Sequence, residues 1–178
     1  MLDLHLCKKK LNVKIKNRES FRPFAPSVLS EELEKWFDLE VESPYMLLVA
    51  NVKKNRRLDE NNIMNEDSSG FAKLEIQRSI VPAITHVNYS ARVQTVNEKE
   101  NNLFYKLIYE FNKITSCPMI INTSFNVRGE PIICDVVDAY NCFMMTDLDA
   151  LFIGNFYLEK NQQKKNFSGK TFSKHELD

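Results

Sequence analysis

Apolar and polar positions along the 178 residues recur in blocks that read as alternating helices and strands. Leu103, Phe104, Leu107, Ile108, Phe111 and Ile114 fall at helical spacing before Pro118, which predicts a scaffold helix ending there. Leu33, Trp36 and Phe37 form a shorter apolar face, with Ser30 placed to cap it and Glu31 and Glu32 in the first turn, at the positive end of the helix dipole. A third helix is predicted from Asp135, with Val136, Ala139, Tyr140, Phe143 and Met144 on one face. "PYMLLVANV" (44–52) reads as a buried strand, and "VPAITHVNYSARVQTV" (81–96) as two strands turning at Asn88 to Ser90. Alternation there puts Val93 and Thr95 on one face and Arg92, Gln94 and Val96 on the other. "MIIN" (119–122) and "ALFIGNFYLE" (150–159) complete the strands. The polar stretch from Lys53 to Gly70 reads as a mobile loop, and the tail from Lys160 as frayed. The pattern predicts an α/β or α+β sheet domain, a class whose ligands bind beyond the carboxyl ends of strands.

One such end opens into "PMIINTSFNVRGEPII" (118–133), far longer than a strand connection needs. Asn122, Thr123, Ser124, Asn126 and Arg128 offer amides, hydroxyls and a guanidinium, a set suited to an oxygen-rich ligand. The same side chains are equally able to cap their own backbone in a long turn. The loop's place at a strand end favours the ligand.

Charge sharpens this picture locally. Lys plus Arg and Asp plus Glu balance at 24 each, so no whole-molecule field draws the chain to nucleic acid or a membrane. Yet "KIKNRESFRPFAPSV" (14–28) gathers Lys16, Arg18 and Arg22, and Pro23 and Pro26 stiffen the chain after them. A solvated basic face is the ordinary fate of such a run. Arg22, however, stands between Phe21 and Phe24, an apolar setting in which a cation needs an anionic partner. Arginine forks onto phosphate bidentately while lysine supplies a point charge, so a site for several phosphates can use both. His86 and Arg92 form a third element, in which Arg92 is the stronger candidate and the histidine is as readily hydrogen-bonded filler.

Other chemistry is thinly supplied. The four cysteines hold no CxxC pair and only three histidines exist, leaving little material for a zinc site. The cysteines read as reduced, packed thiols of a cytoplasmic protein. No apolar run approaches the ~20 residues that span a bilayer, and "MLDLHLCKKK" is too short in apolar length for a signal peptide. There is no nucleophile triad, Walker loop or GxGxxG, and with four glycines in the chain, phosphate must be held by side chains.

In order along the chain, "LNVKIKNRESFRPFAPSVL", "PAITHVNYSARVQTV", "PMIINTSFNVRGEPII" and "DAYNCFMMTDLDALFIGNFYL" resemble the carboxy-terminal domain of the O-carbamoyltransferases of nodulation-factor and antibiotic biosynthesis. The resemblance covers residues 11–160, leaving 1–10 as linker or tail and 161–178 as a polar tail. It implies a YrdC-like fold, a twisted mixed sheet with flanking helices, that makes a carbamoyl-adenylate from ATP, with its Mg²⁺, and carbamoyl phosphate. A Kae1-like amino-terminal domain or separate subunit would then pass the carbamoyl group to an acceptor hydroxyl. By resemblance, Asn122, Ser124 and Asn126 bind phosphates and the carbamoyl group through neutral donors, and Lys16, Arg18, Arg22 and Arg92 supply charge. Lys16 and Arg18 match a K-x-R pattern and Ser124 and Asn126 a Ser-x-Asn pattern. On this basis Arg92, Ser124 and Lys16 are the expected catalytic residues, and Arg18, Arg22, His86, Asn122, Thr123, Asn126 and Arg128 the nucleotide-binding ones; no protein ligand for a metal is expected. The resemblance departs after His86: the family usually has an acidic residue and a glycine there, whereas this chain reads His86, Val87, Asn88, Tyr89, Ser90. Two other readings stay open: a threonylcarbamoyl-adenylate synthase-like enzyme, and a non-catalytic module for RNA or a partner protein, against which the zero net charge argues.

Overall fold

The computed structural model describes residues 4–58, 73–74 and 76–164. Most of the expected loop between Lys53 and Gly70, and the tail from residue 165, lie outside the described residues. The elements run α1 (Leu4–Lys10), a π-helical turn (Leu11–Ile15), β1 (Ala25–Leu29), a 3₁₀ turn (Ser30–Glu32), α2 (Leu33–Trp36), β2 (Leu48–Asn51), β3 (Ser90–Val96), α3 (Asn102–Thr115), β4 (Met119–Asn122), α4 (Val136–Met145), β5 (Ala150–Ile153) and β6 (Phe156–Glu159). The chain divides into two compact units, Met1–Lys8 with Pro23–Thr123, and Lys9–Arg22 with Ser124–Asp178.

The first unit is built on a mixed four-stranded sheet in the order β2-β3-β1-β4. β1 runs parallel to β3, pairing Ser27 with Gln94 and Leu29 with Val96, and antiparallel to β4, pairing Ala25 with Asn122 and Val28 with Met119. All five residues of β1 are buried, as befits a strand covered on both faces. Pro26, which has no N–H to give, falls one residue before the ladder to β3 begins. Along β3 the alternation is as the sequence predicts: Ala91, Val93 and Thr95 are buried and Arg92 is exposed.

Four expectations for this unit are corrected. Residues 81–89 form turns rather than a first strand, because the backbone of this segment is spent on local closures such as Ile84 N–H to Val81 O and Tyr89 N–H to His86 O. The strand expected over 44–52 shrinks to Leu48–Asn51 at the sheet edge, where Leu48 and Val49 are exposed and only Ala50 turns inward. Ser30 caps nothing: its hydroxyl is buried without a partner, and Leu29 occupies the N-cap of the 3₁₀ turn. Leu33, Trp36 and Phe37 are nevertheless buried, as their spacing predicts. α3 is capped by Asn101, whose side chain accepts from Phe104 N–H, and it ends in a left-handed turn at Ser116, two residues before Pro118. Its apolar positions do not all face inward. Ile108 is fully buried against Leu29 and Val96, with Phe104, Tyr105 and Ile120 alongside, but Leu103 is 82 % and Ile114 84 % exposed.

In the second unit, Asp135 caps α4 by accepting from Asp138 N–H at 2.8 Å, where the sequence placed the helix start. Ala139, Cys142 and Phe143 form its buried face, and Lys160 Nζ donates to the Phe143 carbonyl near the helix's C-terminal end. The expected single strand over 150–159 is a hairpin: β5 and β6 pair from Ala150–Glu159 to Ile153–Phe156 around Gly154, whose φ of +55° suits a tight turn that a glycine enters without strain. Cys142 is buried and its thiol is pushed up by that burial, which fits a packing role; Cys134 is exposed and does not share it.

The two faces of α3 should respond oppositely to truncation. Ile108→Ala is expected to cost about 2–5 kcal/mol in urea unfolding, and Leu103→Ala no more than about 0.5 kcal/mol. Equal losses would show that α3 packs through a different face.

Candidate functional site

The second unit brings six of the expected residues together. Lys16, Arg18, Arg22, Ser124, Asn126 and Arg128 line one cavity of about 260 Å³, with Glu19 and Val127 completing the wall. Local geometry makes this possible. The turn Leu11–Ile15 is wound as a π-helix, closed by Lys16 N–H to Leu11 O at 2.9 Å. Asn17 then enters the left-handed region at φ +49°, which asparagine tolerates better than most residues, and Arg18 N–H reaches back to Asn12 O at 3.0 Å. This closure is one residue wider than a Schellman cap.

Asn12 organises the arginine loop from inside. Its side chain is fully buried and donates to the carbonyls of Ser20 (3.1 Å) and Arg22 (2.8 Å) while accepting from Arg18 Nε (2.6 Å). Both polar ends of the amide are satisfied, as a buried amide requires.

Lys16 does the same for the opposite loop. Only 7 % exposed, its ammonium is ringed by Ser124 O (2.6 Å), Asn126 O (2.8 Å), Asn126 Oδ1 (2.8 Å) and Ser124 Oγ (3.2 Å). Four acceptors more than occupy three N–H donors. Burial, and secondarily the Arg18 charge, holds its pKa below the ordinary lysine value. Ser124 Oγ donates on to Asn126 Oδ1 at 2.7 Å, and Asn126 Nδ2 to Glu130 O at 2.9 Å. The loop finishes in a turn from Val127 to Glu130, with Gly129 at φ +84° in the position where a type II turn requires glycine.

The arginines are differently placed. Arg18 is pushed down by burial and by Arg22, and partly restored by Glu19. Arg22 and Arg128 sit at the rim, and their Nη1 atoms each lie 3.9 Å from a Glu19 carboxylate oxygen. The apolar surroundings expected of Arg22 are absent: its side chain is 59 % exposed, and its charge is balanced by Glu19 instead. Beyond hydrogen-bond range, Glu19 restrains the two guanidiniums electrostatically without spending their donors. The cavity thus sets four cations against one carboxylate, with neutral hydroxyl and amide groups between them, an arrangement chemically suited to a multiply charged oxyanion such as a chain of phosphates.

The other four expected residues belong to the first unit. Asn122 is drawn into the sheet: its Nδ2 donates to Gln94 Oε1 (2.6 Å), which also accepts from Ser27 Oγ (2.6 Å), while Gln94 Nε2 donates to Pro44 O (3.0 Å). Thr123 is exposed just beyond β4. His86 is half-buried, its Nδ1 2.9 Å from Ser90 Oγ, and burial, with a smaller contribution from Arg92, lowers its pKa. Arg92 is exposed on β3. Asn12, Glu19 and Gln94 were not anticipated. Asn12 has a legible signal, an amide in the helical stretch "LNVKI" flanked by apolar residues; Glu19 and Gln94 carry none.

The match to known proteins follows the same stretches. Residues 4–160 fit the family model described as Carbamoyltransferase C-terminus. The chain belongs to this family. An uncharacterized protein of Synechocystis is 52 % identical over 153 residues, 86 % of this chain and 25 % of that protein. Nodulation protein NolO of Bradyrhizobium diazoefficiens is 38 % identical over 156 residues (86 % and 25 %). The 3'-hydroxymethylcephem-O-carbamoyltransferase of Amycolatopsis lactamdurans is 35 % identical over 119 residues (67 % and 18 %). The chain therefore spans about a quarter of the length of the first two relatives and less of the third. Among the described residues of this carbamoyltransferase-family chain, no helix is long and apolar enough to cross a membrane.

Two outcomes follow. Lys16→Met keeps the bulk but strands the oxygens of Ser124 and Asn126; hydrogen bonds to a charged group are worth about 1.5–3 kcal/mol, so the variant should be destabilised by that order, with faster amide exchange across 124–130. Unchanged exchange there would show that the loop holds itself. For His86, the unfolded chain takes up a proton near the ordinary value while the fold resists it. The stability this confers is complete above that value and is lost as pH falls through the lowered folded one. Urea midpoints of the wild type should therefore fall between pH 7 and 5 more than those of His86→Gln.

Proposed function

We propose that this chain is the carbamoyl-activating part of an O-carbamoyltransferase, taking ATP, with its Mg²⁺, and carbamoyl phosphate to carbamoyl-adenylate. The observation that carries the reading is the cavity of Lys16, Arg18, Arg22, Arg128, Ser124 and Asn126 in a chain of the carbamoyltransferase C-terminus family. The chemistry has two steps. Water cleaves carbamoyl phosphate to carbamate and phosphate; a carbamate oxygen then attacks the α-phosphorus of ATP, and pyrophosphate leaves with the electrons of the broken P–O bond. Negative charge accumulates on phosphoryl oxygens in the second step, so catalysis requires fixed positive charge and donors more than a protein nucleophile. Arg18, Arg22 and Arg128 supply the charge, and the Ser124–Asn126 loop, preset by Lys16, supplies a neutral donor in the second N–H of the Asn126 amide, the first being given to Glu130 O. Arg92 is assigned the charge of a phosphate group in the same reaction, its exposed place on β3 leaving it available to ligand. An acceptor hydroxyl, presented by a Kae1-like domain or subunit, would attack the carbamoyl carbon and release AMP.

Incubation with ATP, Mg²⁺ and carbamoyl phosphate should yield pyrophosphate. No pyrophosphate from folded protein at high concentration, with or without an added acceptor domain, overturns the proposal; pyrophosphate formed only with threonine and bicarbonate would establish the threonylcarbamoyl alternative. Arg18→Ala and Arg92→Ala should each weaken ATP-dependent turnover roughly ten- to a hundredfold, as loss of a charge-assisted contact of about 1.5–3 kcal/mol implies. Because Arg92 is exposed, its removal should leave the melting temperature unchanged. A sharp drop in melting temperature with unaltered turnover would make it a structural residue.

A further inference from the structure

The turn from His86 to Ser90 fixes which imidazole nitrogen carries the proton. One donor in it is unambiguous: the backbone N–H of Ser90 lies 3.3 Å from the Asn88 side-chain oxygen, so the atom of Asn88 that faces Ser90 is Oδ1 and not the amide nitrogen. Ser90 Oγ stands 2.7 Å from that same Oδ1. An amide oxygen only accepts, so the hydroxyl proton lies in this contact. Ser90 Oγ is also 2.9 Å from His86 Nδ1. With its one proton given to Asn88, the hydroxyl can only accept there, and Nδ1 must donate.

We infer that His86 is held as its Nδ1–H tautomer by a relay from Nδ1–H to Ser90 Oγ–H to Asn88 Oδ1, which leaves Nε2 as a bare lone pair that accepts a hydrogen bond from substrate. Ser90 and Asn88 are positioning residues in this scheme. The frame around the relay is rigid. His86 N–H donates to Ser90 O (2.7 Å), Tyr89 N–H to His86 O (3.1 Å), and Val52 N–H to Tyr89 O (2.8 Å). Tyr89 is held at φ +63°, a left-handed conformation that a bulky side chain adopts only where its surroundings impose it, and the Arg57 guanidinium lies 4.9 Å over its ring. Ser90 is 4 % exposed, so water competes little for its hydroxyl.

The consequence is an acceptor beside the Arg92 cation, because the ring is held on Ser90 and Arg92 follows two residues later on β3, on the same face of the strand. That pair suits a ligand carrying an N–H or O–H donor and an anionic group in one small molecule, a description that carbamoyl phosphate meets through its NH₂ and phosphate. This last step rests on the proposed carbamoyl chemistry; the tautomer does not.

The test is nitrogen-15 NMR of histidine-labelled full chain at a pH where His86 is neutral, with its resonances assigned among the three histidines by loss in His86→Gln. Expected are a protonated, pyrrole-type Nδ1 and a pyridine-type Nε2. Ser90→Ala should release the ring to a mixture or to the Nε2–H form, Asn88→Ala should do so partially, and Ser90→Thr, which keeps the hydroxyl, should preserve the wild-type pattern. An Nε2–H tautomer in the wild type, or an unchanged tautomer in Ser90→Ala, overturns the inference. If Ser90→Ala does not fold, the wild-type spectrum and exposed Asn88→Ala decide the matter. Carbamoyl phosphate should move the Nε2 resonance toward the hydrogen-bonded range in the wild type. No movement, in protein that still forms pyrophosphate, refutes the substrate contact while the activity stands; no pyrophosphate with the tautomer confirmed refutes the activity and leaves the relay intact.

Discussion

The second unit's site depends on one buried ammonium. Lys16 stands at 7 % exposure among four neutral oxygens of Ser124 and Asn126, and it is the point at which two stretches more than a hundred residues apart in sequence are fastened together. A buried cation is expensive unless its donors are used, and here all of them are. The cost shows as a depressed pKa, and the return is a loop whose hydroxyl and amide are fixed before any ligand arrives. The lysine of the K-x-R pattern thereby acts first as the organiser of the Ser-x-Asn loop. Charge still open to a ligand's oxygens lies chiefly on the arginines, whose planar forks are suited to orienting a phosphate as a lysine is not.

The arginine loop needs its own support, and Asn12 provides it. A fully buried amide inside a short helical segment would ordinarily weaken it, because the side chain competes for backbone groups. In this chain that competition is put to use. The π-helical turn, the left-handed Asn17 and the three hydrogen bonds of Asn12 together redirect the backbone from helix into a loop that carries Arg18 and Arg22. Local strain and polar burial are concentrated beside the cations, in a shape that regular structure does not offer.

What could be read in the sequence was what periodicity and capping determine locally. The start of α4 at Asp135 and the alternation of Val93 and Thr95 against Arg92 were legible in this way, whereas the joining of Lys16 and Arg18 with Ser124 and Asn126 was implied only by the family resemblance. Failures came where tertiary context chose among local options. Leu103 and Ile114 have helical spacing like Ile108, but only one stripe of α3 meets the sheet, and periodicity alone does not say which apolar positions are in it. Leu48 and Val49 look like core strand and are exposed at an edge. Phe21 and Phe24 suggested a buried Arg22, although the backbone carries its side chain outward to Glu19. Glu19 itself was invisible because an acidic residue among basic ones reads as ordinary surface until the fold shows Arg128 on its other side.

The balance of charge explains why so local a site suffices. The chain as a whole is neutral, so no long-range field gathers anions. Screening confines each charge to roughly 8–10 Å at ordinary ionic strength, and a ligand in the cavity therefore feels the four cations and Glu19 far more than the rest of the molecule. Within that radius, geometry matters more than charge number. Four cations left to themselves would repel one another and scatter into solvent. Lys16 is instead tied to neutral oxygens, Arg18 to Asn12, and Arg22 and Arg128 to opposite oxygens of one carboxylate. Each cation has a separate restraint, and none of the restraints needs a glycine-rich backbone cradle. A chain with four glycines can in this way hold a phosphate-sized space open with side chains alone, with Gly129 spent only on the turn that brings Arg128 to the rim.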